Sequence, residues 1–278
     1  MDQKVFSGCL LVTDLDGTLL GSDKQISKEN LAAIERFVEE GGLFTIATGR
    51  ITASARRYVE QLPVKAPAIL YNGAVVYDYE RDETVWAKEL PESVIGVMER
   101  AMQRFPELGV EIYEENGDSP YIVRENETTL RHRAIERFPE KAAPDYTTLS
   151  KPWMKVLFAW EPKRLDEVAA VAEELKGTAD VIWVRSDDKY LELLPAGASK
   201  GHALEQLAAQ LGIHSEHCVA MGDHLNDLEM IRRAGIGIAV ANAHPDLLQE
   251  ANHCCKHHND HAVADVIAWW EEKRSARV

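Results

Sequence analysis

The sequence predicts an α/β protein: a parallel sheet with helices on both faces, into which an α+β domain with an antiparallel sheet is inserted. Three observations predict this fold. Short apolar runs alternate with amphipathic helical patterns near the N-terminus, and the same alternation returns near the C-terminus. Between these parts, the predicted strands alternate polar and apolar residues, which is typical of antiparallel sheets.

At the N-terminal end, the predicted order is strand, helix, strand, helix, strand. The first helical pattern is followed by Gly41 and Gly42, and we expect these glycines to end the helix. Short buried strands that alternate with helices favour a parallel sheet. The predicted segments are an apolar run at 8–13, a helix at 28–40, an apolar run at 43–47, a helix at 53–61 and an apolar run at 68–71.

The other part of the parallel sheet is predicted near the C-terminus, from apolar runs at 218–221 and 237–240 that are separated by helical patterns. Between the two parts, two similar units of one helix and two strands predict the inserted antiparallel sheet. The last strand of the second unit, at 190–194, falls at the boundary itself. The predicted domains are a discontinuous core of residues 1–81 and 190–278 and an inserted domain of residues 82–189.

Composition and charge limit the classes of partner. The chain of 278 residues carries a formal net charge of −15 and has no cluster of Lys and Arg, so we expect no nucleic-acid partner. Its apolar runs are far shorter than the roughly 20 residues that span a bilayer, so we expect no membrane partner. The four cysteines have no spacing that suggests disulfides. We expect a cytoplasmic protein that is a monomer or a small homo-oligomer.

Two carboxylates follow the first predicted strand. Asp14 and Asp16 are succeeded by Gly17, which permits a sharp turn. One carboxylate could act as a nucleophile while the other exchanges a proton with the leaving group and with water. The alternative is an Asp-Gly turn without a catalytic role. A calcium loop is excluded because Leu19 and Gln25 occupy the positions where such a loop has Gly and Glu.

A second acidic loop follows the predicted strand at 218–221. The segment 222–227, Gly-Asp-His-Leu-Asn-Asp, opens a helix. Carboxylates at the carboxyl end of a strand suit a hard cation that prefers oxygen ligands, which here indicates Mg²⁺. Asp14 and Asp223 could share one ion. The alternative is that Asp223 and Asn226 only cap the helix.

Two further segments predict a site for an anion. Thr48, Gly49 and Arg50 place a hydroxyl and backbone N–H groups at a strand end, just before a helix. Lys200 lies at the start of another predicted helix, where a positive charge is unfavourable unless an anion is near. All of these segments fall at the carboxyl edge of one predicted sheet, where open α/β folds bind ligands.

Together, the motifs resemble those of the haloacid dehalogenase (HAD) superfamily, specifically its Cof-type (subclass IIB) phosphatases, over nearly the whole chain. The resemblance implies a Rossmann-like core with an inserted C2B cap domain. It also implies that Asp14 is the nucleophile and Asp16 the general acid and base. Mg²⁺ would be held by Asp14, the main-chain carbonyl of Asp16, and Asp223, with support from Asp227.

For the phosphate and the rest of the substrate, the resemblance implies a further set of residues. The implied phosphate and substrate contacts are Thr48, Gly49, Arg50, Asn72, Lys200 and Asn226.

One position departs from the family pattern. Ala241 stands where the family usually has a glycine before the asparagine, which is Asn242 here.

The expected function is Mg²⁺-dependent hydrolysis of small phosphate monoesters, such as sugar phosphates or related metabolites, through an aspartyl-phosphate on Asp14. One alternative is a phosphohexomutase of the same superfamily, which would return the phosphoryl group to a sugar instead of releasing phosphate. Another is a sugar-phosphate sensor without catalysis, although a sensor has no need of a second carboxylate placed for proton transfer.

Residues 253–261 contain histidines and cysteines that could bind zinc by ligand type. Cys254 and Cys255 are adjacent, however, so a strand would point their side chains to opposite faces. We therefore predict a buried strand followed by a polar, histidine-rich turn.

Overall fold

The structure, a computed structural model, describes residues 4–275. The strands are β1 (Leu10–Thr13), β2 (Leu43–Ile46), β3 (Ala68–Leu70), β4 (Val75–Asp78), β5 (Glu83–Ala87), β6 (Gly109–Glu114), β7 (Tyr121–Arg124), β8 (Trp153–Ala159), β9 (Val181–Asp187), β10 (Tyr190–Pro195), β11 (Cys218–Gly222), β12 (Ile236–Ala239) and β13 (His253–Cys254). The helices are α1 (Lys28–Glu39), α2 (Thr52–Val59), α3 (Val94–Arg104), α4 (Glu127–Glu136), α5 (Pro162–Ala170), α6 (Ala172–Lys176), α7 (Lys200–Gln210), α8 (Leu228–Arg233), α9 (Pro245–Glu250) and α10 (Ala262–Ser275).

The chain divides into two compact units. The core unit comprises residues 4–49, 55–86 and 199–275, and the inserted unit comprises Arg50–Ser54 and Ala87–Ala198. Each of the two predicted boundaries therefore moves. β5 is hydrogen-bonded to β4 in a small sheet, which keeps most of β5 with the core unit. β10 pairs with β8 on one side and β9 on the other, so it is an interior strand of the inserted sheet, not part of the core.

The core unit is built on a parallel sheet with the strand order β13-β12-β11-β1-β2. β1 lies at its centre, where Val12 pairs with Ala220 of β11 and with Thr45 of β2, and all four residues of β1 are buried. Central parallel strands are covered on both faces, which explains their continuous apolar sequences. α1 packs against α10, and α7 packs against α8. The predicted α/β class and parallel sheet are confirmed.

The first helix ends at the predicted pair of glycines. The N–H of Gly41 donates to the carbonyl of Val38, and the N–H of Gly42 donates to the carbonyl of Phe37, each at 3.0 Å. These two bonds satisfy carbonyls that have no partner within the helix. Gly41 has a φ of +89°, a left-handed conformation that costs glycine little because it has no Cβ.

Aromatic residues join both ends of the chain in the core unit. Phe6 lies 4.7 Å from Phe37 of α1 and 5.4 Å from Trp270 of α10, measured between ring centroids. All three side chains are buried. This cluster helps to hold α1 against α10, since aromatic pairs at these distances add to the stabilisation from burial alone.

The inserted unit contains an antiparallel sheet with the strand order β7-β6-β8-β10-β9. Alternate residues of its strands face a hydrophobic core that includes Val110, Val156 and Leu191. The predicted antiparallel sheet is confirmed. Within residues 4–275, no helix combines the length and the apolar character that crossing a membrane requires.

The predicted buried strand in the histidine-rich segment is wrong in part. β13 has only two residues, His253 is half-buried and Cys254 is exposed, because this strand lies at the sheet edge and pairs only with β12. The expected polar turn follows as a single turn of 3-10 helix, His258–Asp260. The segment's rings pack locally: His253 stacks on Trp269 at 4.4 Å.

Candidate active site

The first acidic loop leaves β1 at the carboxyl edge of the parallel sheet. The N–H of Asp14 donates to Met221 O at 2.9 Å, so pairing with β11 continues to this residue, whose side chain is nearly buried. Gly17 has a φ of +81°, and a Cβ at this position would lie 2.4 Å from Asp223 Oδ2. Glycine is therefore required here by its conformation and by the close approach of the two acidic loops.

Asp16 is placed differently from Asp14. Its side chain is 35% exposed, and its Oδ1 lies 2.8 Å from Nζ of Lys24, which follows on the same loop. A partly exposed carboxylate can exchange protons with solvent, whereas the buried Asp14 is shielded from it. The loop thus carries one buried carboxylate and one accessible carboxylate. Two such environments suit the different roles predicted for Asp14, as nucleophile, and Asp16, as general acid and base.

Lys200 connects the two acidic loops. It is the first residue of α7, it is fully buried, and its Nζ lies 2.6 Å from Asp14 Oδ1 and 2.6 Å from Asp227 Oδ1. Burial by itself would lower the pKa of Lys200, but the two carboxylates raise it above its usual value, so the amine stays charged. The negative charge that we expected near Lys200 is thus supplied by the carboxylates of Asp14 and Asp227.

Asp227 is fully buried and organises the second acidic loop. While its Oδ1 accepts from Lys200, its Oδ2 accepts from the N–H groups of Asp223 (2.9 Å) and His224 (3.2 Å). A Cβ on Gly222 would lie 2.4 Å from the Cβ of Asp227, so the strand must end in glycine for this carboxylate to fold back. Both oxygens of Asp227 therefore already have protein donors.

Three carboxylates converge at this edge of the sheet. Oxygens of Asp14, Asp223 and Asp227 lie within 4.8 Å of one another, and among the described residues they form the group of side chains able to hold a metal ion. Thr18 Oγ1 donates to Asp223 Oδ1 at 3.1 Å. An all-oxygen donor set of this kind suits a hard cation.

The electrostatics of this group show the need for positive charge. Burial raises the pKa of Asp14 to about 7; Lys200 opposes this shift, and the charges of Asp227 and Asp16 add to it. Burial likewise raises the pKa of Asp223 to about 8, and repulsion from Asp14 and Asp227 adds to the shift. One ammonium group is thus insufficient to keep all the carboxylates ionised at neutral pH.

Thr48 and Asn72 lie at the ends of the next two strands. The N–H of Thr48 donates to Ile69 O at 2.8 Å, and the N–H of Asn72 donates to Thr48 O at 3.0 Å. The amide of Asn226 donates to Asn72 Oδ1 at 2.9 Å. A Cβ on Gly49 would lie 2.9 Å from Asn72 Nδ2, so glycine at this position leaves room for the side chain of Asn72. The structure thus brings together the predicted residues of three loops.

Arg50, another predicted site residue, lies in a different unit from Thr48 and Gly49. The division between the units falls between Gly49 and Arg50. The Arg50 guanidinium forms a buried ion pair with Glu136, the last residue of α4 in the inserted unit. Arg50 therefore belongs to the inserted unit, whereas Gly49, the residue before it, lies in the core unit.

One residue that holds the acidic loop was not predicted. Asn242, after β12, donates from Nδ2 to the carbonyl of Gly17 at 2.8 Å. The sequence contained a signal, because this asparagine belongs to the segment in which Ala241 departs from the family pattern. The signal identified the loop but not its contact with Gly17.

Comparison with known proteins identifies the family. The sequence model of the haloacid dehalogenase-like hydrolases matches residues 11–267. The chain belongs to this family. Its curated relatives include the protein YxeH of Bacillus subtilis (strain 168), 30% identical over 271 residues that cover 93% of this chain and 96% of YxeH. They also include the HMP-PP phosphatase of Serratia proteamaculans (strain 568), 29% identical over 269 residues that cover 94% of each chain.

A solved structure supports the same assignment. A haloacid dehalogenase-like hydrolase from Bacteroides thetaiotaomicron matches with a TM-score of 0.81 and 27% identity, covering 94% of this chain and 98% of that chain. The predicted family, fold class and enzymatic nature are confirmed. In this HAD-like hydrolase, Asp14 belongs to a group of three carboxylates and also pairs with the buried Lys200. This arrangement suits the transfer of an anionic group.

Proposed function

We propose that this HAD-like hydrolase is a Mg²⁺-dependent phosphatase that cleaves small phosphate monoesters through a phosphoryl group carried on Asp14. The observation that carries the proposal is the environment of Asp14. Its carboxylate is nearly buried, pairs with Lys200 at 2.6 Å and lies within 4.8 Å of oxygens of Asp223 and Asp227. Phosphoryl transfer depends on such positioning and charge neutralisation.

The residues present fit a magnesium ion. Asp14 and Asp223 have pKa values raised to about 7 and about 8, because burial and mutual repulsion leave their charge uncompensated. These two side chains, with the main-chain carbonyl of Asp16, would hold the ion. Asp227 would support it by fixing Lys200 and the loop. When bound, Mg²⁺ would neutralise the carboxylates and the developing charge on the phosphoryl oxygens.

The proposed reaction has two steps. A carboxylate oxygen of Asp14 attacks phosphorus, the bond from phosphorus to the ester oxygen breaks, and the proton of Asp16 passes to the leaving alkoxide. Water then attacks the phosphorus of the aspartyl-phosphate while Asp16 takes up a proton from this water, and the bond from phosphorus to Asp14 breaks. Inorganic phosphate leaves, and both carboxyl groups return to their starting states.

Several residues are proposed to bind the phosphoryl group. Lys200 lies beside the nucleophile and carries the positive charge that an equatorial oxygen needs. Thr48 and the N–H of Gly49 follow β2, and the hydrogen bond between Asn72 and Asn226 fixes the loops beside them. Arg50 remains a proposed substrate contact on the sequence pattern alone.

The proposed substrates are small phosphorylated metabolites, including sugar phosphates. The relative from Serratia is named for one phosphorylated compound, HMP-PP. At this level of similarity, the name supports the chemical class and leaves the individual substrate to experiment.

The test is release of inorganic phosphate from sugar phosphates, nucleotides and p-nitrophenyl phosphate, with and without Mg²⁺. Asp14→Asn should abolish turnover, whereas Asp180→Asn, the same change at an exposed carboxylate of the inserted unit, should leave it intact. Isomerised sugar phosphate without free phosphate would indicate a mutase. Binding of sugar phosphates without any turnover by the folded wild type would indicate a sensor.

A further inference from the structure

The loop that carries Asp16 is held from outside by the C-terminal part of the core unit. Asn242 Nδ2 donates to the carbonyl of Gly17, one residue after Asp16, at 2.8 Å. The Oδ1 of the same amide accepts from the backbone N–H of His258 at 2.9 Å. Asn242 therefore links the acidic loop to the histidine-rich turn through the nitrogen and the oxygen of its side-chain amide.

The side chain of His258 forms a second link. Its Nδ1 lies 2.8 Å from the carbonyl of Leu20, and because a carbonyl only accepts, Nδ1 must carry the hydrogen. Its Nε2 lies 3.4 Å from the hydroxyl of Ser22. Both ring nitrogens are thus directed at the segment that follows Asp16.

Asn259 forms a third link. Its Oδ1 accepts from the backbone N–H of Ser22 at 2.8 Å, and its Nδ2 donates to the hydroxyl of Ser22 at 3.0 Å. The links therefore reach three points along the loop, at Gly17, Leu20 and Ser22. We call the residues that make them, Asn242, His258 and Asn259, the loop clamp.

The clamp acts on the loop that carries a partly exposed carboxylate. The ion pair of Asp16 with Lys24 joins two residues of this one loop, whereas the clamp links the loop to a different segment of the core unit. A group that transfers protons must be held within a fraction of an ångström of its productive position. Hydrogen bonds to the carbonyls of Gly17 and Leu20, both shortly after Asp16, supply such a constraint.

We propose that the loop clamp positions Asp16 for proton transfer and that His258 is a positioning residue for this step. The inference rests on the proposed function, because it assigns part of the machinery of the same reaction. It also assigns a role to the histidine-rich segment other than metal binding. Loss of the clamp should impair protonation of the leaving group more than attack by Asp14, which is fixed by Lys200 and β11.

The test uses the dependence of kcat/KM on the leaving group. An alkyl phosphate leaves as a strongly basic alkoxide and needs the proton, whereas p-nitrophenolate is a weak base and leaves without one. General acid catalysis contributes about 10²- to 10⁴-fold, so His258→Ala should lower kcat/KM for an alkyl phosphate by about ten- to a hundredfold. The loss for p-nitrophenyl phosphate should be only a few-fold. The variant Asp16→Asn, which lacks the proposed general acid, should show the same contrast between the two substrates and serves as the benchmark.

Three further variants sharpen the test. Asn242→Ala should show the same selective loss. His258→Asn keeps an N–H donor at the δ position and should restore much of the alkyl phosphate activity. His214→Ala, at a histidine with a 76% exposed side chain, should behave as the wild type.

Hydrogen exchange supplies a readout that does not depend on activity. Amides in residues 17–22 should exchange faster in His258→Ala than in the wild type, while β1 and β11 remain protected. Equal losses on both substrates, or no loss at all, would overturn the inference while leaving the phosphatase intact. Wild-type protein inactive on every phosphate ester would instead overturn the proposed function, and the proton-transfer role with it.

Discussion

The Nζ of Lys200 lies 2.6 Å from Oδ1 of Asp14, although 186 positions separate the two residues in the sequence. Both side chains are buried, and Asp227 completes the group on the other side of the ammonium. Breaking a buried ion pair by removing one partner leaves an uncompensated charge in a medium of low polarity. We therefore expect loss of this contact to affect both the stability of the fold and the proposed phosphatase activity.

Replacement of Lys200 by Met should affect stability and activity together. We expect the free energy of unfolding to fall by about 3–5 kcal/mol, because the carboxylates of Asp14 and Asp227 lose their cation. Phosphate release should fall by at least about 10²-fold through loss of charge stabilisation. Denaturant titration and a phosphate assay measure the two effects, with Lys163→Met at an exposed lysine as the control. Unchanged stability would contradict this account of the pair.

Substitution of Gly17 by Ala tests the close approach of the acidic loops. Its φ is +81°, and the added Cβ would lie 2.4 Å from Asp223 Oδ2, so we expect weaker Mg²⁺ binding and a large loss of turnover. Gly8→Ala is a matched control, since Gly8 has a φ of +74° with no heavy atom within 4 Å of the added Cβ. Calorimetry with Mg²⁺ should separate the two variants. Equal effects would mean that only backbone strain, not the contact with Asp223, matters.

Binding of Mg²⁺ should depend steeply on pH. Folding raises the pKa of Asp14 to about 7 and that of Asp223 to about 8, from a usual value of 3.8. The metal-free folded protein therefore holds more protons than the unfolded chain between about pH 4 and 8, and its stability from these groups falls as pH rises through that window. Metal binding must displace these protons.

The apparent affinity for Mg²⁺ should accordingly increase between pH 6 and 8, by up to about tenfold per pH unit for each proton displaced. The increase in melting temperature on addition of Mg²⁺ measures this effect and should be larger at pH 8.5 than at pH 6. Asp223→Asn should weaken both the affinity and its pH dependence. Equal Mg²⁺ affinity at the two pH values would contradict the raised pKa values.

A second pH dependence is predicted in the inserted unit. His132 Nδ1 lies 3.0 Å from Oε2 of the buried Glu111. Burial alone would lower the pKa of His132, but the charge of Glu111 raises it above its usual value of 6.5. The ion pair then stabilises the fold fully below pH 6.5, and this contribution is lost as pH rises through the folded-state pKa.

His132→Asn should consequently reduce the free energy of unfolding more at pH 6 than at pH 9. The loss at pH 6 should be about 1.5–3 kcal/mol, the range for a hydrogen bond to a charged group. Chemical denaturation at both pH values measures it, and exposed His214→Ala is the control. A larger loss at the higher pH would reverse the assigned sign.

The domain boundary shows one limit of sequence analysis. β10 has the same alternation of polar and apolar residues whichever sheet it joins, so the pattern predicts a strand without predicting its neighbours. The structure pairs it with β8 and β9 inside the inserted sheet. Arg50 is a similar case, because its ion pair with Glu136 joins residues 86 positions apart.

The sequence by itself determined the parallel core, the family and the acidic, hydroxyl and lysine motifs, because strand periodicity, helix ends and motif spacing are local properties of the chain. Only the tertiary structure decided that Lys200 lies between Asp14 and Asp227, that Gly17 approaches Asp223, and that Asn242 holds the acidic loop. Each of these contacts joins segments far apart in sequence. Their distances depend on how the strands order and pair, which no local pattern specifies.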